Sequence, residues 1–131
     1  MRENIRILIV EDEFLAAIYL QRELTRSGYT VSQLVATGEE AIESVEQEQP
    51  DVVLMDIRLA GAIDGIEAAR EIISRHTIPI IFMTGYSDDE TREQAQRLNP
   101  AAYLAKPLQV YQVASAIDSA LAVITEQVEE E

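Results

Sequence analysis

The chain has 131 residues, no cysteine, and 24 acidic against 10 basic side chains, for a formal charge of −14. That length holds one sizeable core and not two, and the missing cysteines exclude disulfides, thiol catalysis and cysteine-ligated zinc. The acidic excess offers no basic face to nucleic acid, and no apolar run reaches the ~20 residues of a membrane helix. With no signal-peptide pattern either, a cytoplasmic protein is expected.

Residues 5–10 (IRILIV) are almost all aliphatic, the pattern of a strand buried on both faces. A helix follows from near Glu13, with Phe14, Ala17, Ile18 and Leu24 along one stripe and Gly28 as its C-cap. Residues 30–35 form a weaker, partly polar strand that belongs at an edge. Thr37 or Gly38 opens a second helix, with Ala41, Ile42 and Val45 turned inward, and Pro50 ends it.

Residues 52–55 (VVLM) are the most uniformly apolar run and are assigned to a central strand. A helix over 65–75 is expected to bury Ile66, Ala69 and Ile73. Residues 78–83 supply the fourth strand, 88–98 a short helix poor in apolar positions, and 101–105 the fifth strand. The last helix runs from about Gln109, with Val110, Val113, Ala114, Ile117, Leu121 and Ile124 on its core face. Its acidic end (residues 125–131) is expected as a solvated helix terminus or loose tail. Five strand–helix alternations predict one α/β domain over 1–131, with its core at about 5–124. The sheet is then parallel, with helices on both faces and right-handed crossovers.

The chemistry-bearing residues stand where those strands end. Glu11 and Asp12 follow the first strand, Asp56 the third, Thr84 the fourth, and Lys106-Pro107 the fifth, which contains Tyr103. In an open parallel sheet the carboxyl ends of the strands line one edge, where ligands bind. Three carboxylates there make an all-oxygen nest for a hard cation such as Mg²⁺, with Mn²⁺ as a substitute. A carboxylate can itself be a nucleophile and form an acyl phosphate, and an ammonium neutralises the transferring group. Asp56 is the candidate nucleophile, Lys106 the counter-charge and Thr84 the hydroxyl for a phosphoryl oxygen.

Taken singly, each residue has a plainer role. An acidic pair at a strand end is commonly a helix-start charge cluster, Tyr103 a half-buried aromatic and Lys106 a surface lysine. His76, the only histidine, reads as a surface residue or a helix C-terminal dipole partner. The joint pattern carries the claim.

The segments VEDE, VVLMDIRL, DGIEAA, PIIFMTGYSDDE and AAYLAKPL resemble, in order and spacing, the receiver domain of two-component response regulators. The resemblance implies a flavodoxin-like (βα)5 fold with strand order 2-1-3-4-5. It implies Asp12 as direct metal ligand, Glu11 acting through water, Asp56 as phosphoacceptor and the Arg58 carbonyl completing the metal shell. Thr84 and Tyr103 would form a switch pair, and Lys106 would pair with the phosphate beside a cis Lys106-Pro107 bond. Arg58 and Tyr86 would tune the phosphoryl lifetime, Tyr86 by shielding the acyl phosphate from water.

The implied partners are a histidine kinase or histidine phosphotransfer protein and a downstream protein. These would meet a monomer or weak homodimer through the fourth helix, fifth strand and fifth helix. On this reading the chain is a stand-alone switch and not an enzyme, apart from catalysing its own phosphorylation and dephosphorylation.

Two departures from the family pattern stand out. The loop after Asp56 is one residue longer than usual, with Leu59-Ala60-Gly61 in place of Met-Pro-Gly, and the acidic pair is Glu-Asp instead of Asp-Asp. Among rival readings, a haloacid-dehalogenase-like phosphatase needs a second acid two residues past the nucleophile, where this chain has Arg58. A flavodoxin needs a phosphate loop where it has Glu11-Asp12-Glu13. A pseudo-receiver usually lacks a site residue, and none is lost here. A receiver cut from a larger hybrid kinase or regulator stays open.

Overall fold

The computed structural model describes residues 4–85 and 88–130, the last seven of these by backbone only. Its elements alternate throughout: β1 (Arg6–Val10), α1 (Phe14–Arg26), β2 (Thr30–Val35), α2 (Gly38–Glu48), β3 (Val52–Asp56), α3 (Gly65–Arg75), β4 (Ile80–Thr84), α4 (Asp89–Gln96), β5 (Ala102–Ala105) and α5 (Val110–Glu130). All strand pairs are parallel, in the order β2-β1-β3-β4-β5. This is the expected flavodoxin-like order, with the polar β2 at one edge.

Successive strand residues point to opposite faces, and the aliphatic runs therefore build two cores. Leu8, Val10, Val53, Met55 and Phe82 join Ala41, Val45, Ala69 and Ile72 of α2 and α3. Ile7, Ile9, Val52, Leu54, Ile81 and Met83 join Leu20 and Leu24 of α1 and Val113, Ile117 and Leu121 of α5. β1 from Ile7 onward, β3 and β4 are buried along their whole length. That explains why no alternation is visible in their sequences.

Two expected core positions are corrected. Phe14 is 72% exposed, and the buried stripe of α1 is Ala17, Leu20 and Leu24. Phe14 is the first helical residue, placed beyond the end of β1 where the sheet offers no surface beneath it. Ile73 is likewise 37% exposed, while Gly65, Ile66, Ala68, Ala69 and Ile72 are buried. The small residues let α3 lie close to the sheet, and they rotate Ile73 to the flank. β4 begins two residues later than expected, after Pro79, whose carbonyl accepts from Val53 N at 3.1 Å. α2 is capped by Gln49, in the left-handed region at φ 46°, just ahead of Pro50. Tyr86 and the side chain of Ile124 lie outside the described residues.

Tyr29 fastens the start of β2 to α5, its hydroxyl donating to Asp118 Oδ1 at 2.8 Å. Burial and the neighbouring Asp118 carboxylate push its phenol from 10.0 up to about 12. A raised pKa contributes stability that is complete below the unfolded value and lost as pH climbs through the folded one. Between about pH 10 and 12, Tyr29→Phe should therefore lose less stability than the parent. Melting temperature against pH reads the difference, and superimposable slopes would refute the assignment.

Candidate functional site

The ladder itself delivers the site. Val10 pairs with Met55, so the next residues, Glu11 and Asp56, emerge side by side from adjacent strands. Glu11 N is held by Val35 O at 3.0 Å as the chain leaves the sheet, and Glu11 Oε2 accepts from Glu13 N at 3.2 Å. Asp56 Oδ1 accepts from Arg58 N at 3.2 Å. From β5, Lys106 N donates to Thr84 O at 2.8 Å, which carries the lysine across β4.

Its ammonium then donates to Glu11 Oε1 at 2.5 Å and to Asp56 Oδ2 at 2.8 Å. Glu11 and Asp56 are each only 5% exposed, and Thr84 2%. Asp12 is exposed, yet one oxygen from each of Glu11, Asp12 and Asp56 falls within 4.8 Å of the others. The peptide bond between Lys106 and Pro107 is cis.

The charges do not balance. Three carboxylates, two of them buried and Asp12 exposed, face one ammonium, a formal excess of −2. Burial, and then hydrogen bonding with Asp56, push the Glu11 carboxyl up, against the opposing pull of Lys106 and the Glu13 N–H. Burial also works against the Lys106 ammonium, but its bonds to Asp56 and Glu11 outweigh that and its pKa is raised. A hard divalent cation suits this residue set, because every donor is an oxygen and the excess charge is negative.

Lys106→Gln should therefore destabilise the metal-free protein by about 3 kcal/mol near neutral pH, the low end for a broken buried pair, since it strands two buried carboxylates. Mg²⁺ should restore part of the loss. An acid whose folded pKa is raised weakens folding above its unfolded value and ceases to do so below it. The deficit should thus shrink as pH falls toward 4.5, the ordinary value for Glu11. Urea midpoints across pH and Mg²⁺ test this; a pH-independent deficit would sink the idea.

Tyr103 sits apart from the acids. It pairs in register with Phe82, packs half-buried on the core beneath α2 and α3, and has the Arg92 guanidinium of α4 5.6 Å from its ring centre. Arg58 is exposed, and its charge helps hold the Asp88 carboxyl down, after the larger effects of Asp88's hydrogen bonds with Thr91. His76 caps α3 and meets Glu46 at 3.3 Å.

Two features went unseen in the sequence. Gly65 N donates to Ile57 O at 2.7 Å, and a methyl group on Gly65 would collide with the Asp56 carbonyl oxygen. The signal for it was the Asp64/Glu67 capping box, which fixes Gly65 as the first helical residue. Glu39 of α2 reaches the loop after Asp56, a contact for which an exposed helical acid gives no sequence signal.

A doubly wound 2-1-3-4-5 sheet with carboxylates and a lysine gathered at its carboxyl edge defines a flavodoxin-like protein of the receiver class. Comparison with known proteins agrees. The response regulator receiver domain model matches residues 7–118, and the chain belongs to that family.

It is 37% identical over 116 residues to the transcriptional regulatory protein PdtaR of Mycobacterium tuberculosis, covering 88% of this chain and 56% of that protein. It is 31% identical over 115 residues to sporulation initiation phosphotransferase F of Bacillus subtilis, covering 87% and 91%. The signal receiver domain of a modulated diguanylate cyclase from Desulfovibrio desulfuricans G20 superposes with a TM-score of 0.87 at 38% identity, covering 97% and 99%. The chain thus spans about half the length of PdtaR. Among the described residues, no helix is long and apolar enough to cross a membrane.

Proposed function

We propose that this receiver domain is a phosphorylation-driven cytoplasmic switch in which Asp56 accepts a phosphoryl group from a phosphohistidine of a kinase or phosphotransfer protein. The observation that carries this reading is the Lys106 ammonium shared between Glu11 and Asp56 at the end of adjacent strands. An Asp56 carboxylate oxygen forms the new O–P bond as the donor's N–P bond breaks, and the imidazole leaves with the electron pair. The result is an acyl phosphate.

Glu11, Asp12, Asp56 and the Arg58 carbonyl would hold Mg²⁺, which supplies charge neutralisation for the phosphoryl oxygens. Lys106 leaves Asp56 Oδ2 to pair with the phosphoryl group, and the buried Thr84 hydroxyl donates to another of its oxygens. The added charge of about −1.5 to −2 draws Thr84 toward the phosphoryl group. Tyr103, released from under Arg92, follows it and reshapes the α4-β5-α5 face for a protein partner. Beyond this self-catalysed gain and loss of phosphate, the domain turns over no substrate.

Intact mass after incubation with acetyl phosphate and Mg²⁺ tests the reading. One phosphoryl group gained, and none in the presence of a chelator, is the expected result. No gain, together with no beryllofluoride binding, would leave a phosphorylation-independent interaction module.

A further inference from the structure

The loop between β3 and α3 is the part of the site that departs from the family pattern, and a neighbouring helix grips it. Thr37, the N-cap of α2, forms an isolated parallel bridge with Ala60. Two residues on, the Glu39 carboxylate accepts from two successive loop amides, Ala62 N at Oε2 and Ile63 N at Oε1, each at 3.4 Å.

Between those contacts Gly61 turns through φ 98°, where a side chain would be strained. A methyl group there would also press on the Glu39 oxygens at 3.0 and 3.2 Å and on Thr37 Cβ at 3.3 Å. A methyl group on Gly38 would come closer still, 2.7 Å from Ile63 Cγ1. The loop's two ends are fixed separately, by Arg58 N on Asp56 Oδ1 at 3.2 Å and Gly65 N on Ile57 O at 2.7 Å. The middle of the loop, where the extra residue must be accommodated, is therefore held from α2.

We propose that Glu39 is a positioning residue for the cation site: its carboxylate clamps the 57–64 loop so that the Arg58 carbonyl is presented to the acids of β1 and β3. This rests on the metal-site reading given above. Glu39 touches neither cation nor phosphoryl group; it acts through the backbone it holds. Partners of this outer kind, when removed, commonly weaken a metal site by roughly tenfold or more.

The test is a Mg²⁺ titration of the full chain, followed by amide NMR shifts, alongside hydrogen exchange at Ala62 and Ile63. Glu39→Ala should bind Mg²⁺ roughly tenfold more weakly and lose protection at both amides, with its urea midpoint in metal-free buffer close to the parent's. Glu39→Gln, which keeps one acceptor oxygen for one of the two amides but presents its NH2 to the other, should recover only part of the affinity. Glu43→Ala, which removes the same charge one turn along α2, should bind like the parent.

If the parent binds but Glu39→Ala binds equally well, the clamp is overturned and the metal site stands. If Glu43→Ala weakens binding as much as Glu39→Ala does, diffuse charge replaces positioning. If the parent itself shows no Mg²⁺-dependent shifts, the metal-site reading fails, and the inference falls with it.

Discussion

Asp56→Asn should gain no phosphoryl group from acetyl phosphate and Mg²⁺ under conditions that saturate the parent, while remaining folded. The side chain keeps its shape and an oxygen for the Lys106 ammonium, now 2.8 Å from Asp56 Oδ2, and gives up only the longer bond from Arg58 N to Oδ1 at 3.2 Å. A neutral amide oxygen, however, is no nucleophile toward phosphorus at neutral pH. The fold should not suffer. Asp56 is among the groups that push the Glu11 carboxyl up, through a hydrogen bond and through like charge. Removing that charge relieves a buried repulsion, so the metal-free variant should melt no lower than the parent. Intact mass and a melting curve on one preparation separate the two effects. A variant that still gained phosphate would move the nucleophile to Glu11 or Asp12, which share its oxygen cluster.

Gly65→Ala should cost about 3 kcal/mol, in the upper part of the range for overpacked sites. The atoms nearest the new methyl group are all backbone: the Asp56 carbonyl, and Ile57 Cα at 2.9 Å. Neither can rotate away as a side-chain tip could. Alanine is the better helix former by about 1 kcal/mol, which offsets only part of the cost. Gly28 makes the contrast, since a methyl group there meets nothing within 4 Å and only its φ of 100° resists substitution. Gly28→Ala should therefore be several times milder. Urea midpoints decide, and equal losses at the two positions would refute the close approach of α3 to β3. Because Gly65 presses on the carbonyl of Asp56 itself, a surviving fraction of the variant should also accept phosphate more slowly.

Much of this was legible in the sequence because the fold's strongest signals are local. IRILIV, VVLM and PIIFM read as strands from their own residues, and Glu11, Asp12, Asp56 and Thr84 follow them directly, while Tyr103 lies within, and Lys106 follows, the shorter fifth run, AAYLA. Parallel topology then brings Glu11, Asp56 and Lys106 together without further information. Amphipathic counting failed where a helix outruns its sheet, as at Phe14, and where small residues set the buried face, as beside Ile73. The Glu39 clamp and the Arg92–Tyr103 stack were illegible for a different reason. Each joins residues that are unremarkable in their own segments, and only the distance between the folded segments gives them meaning.

The register of β1 with β3 has a consequence for how such a domain can diversify. Neighbouring strands stand about 4.8 Å apart, and Glu11 and Asp56 are simply the next residues beyond the rung formed by Val10 and Met55. Their separation is set by main-chain bonding, which every sequence able to form these strands shares. The outward faces of the helices have no part in it. Residues such as Leu15 and Tyr111, more than half exposed, can be exchanged without moving the acids. The spacing of the acids and the make-up of the helix surfaces can thereby vary independently within one small fold.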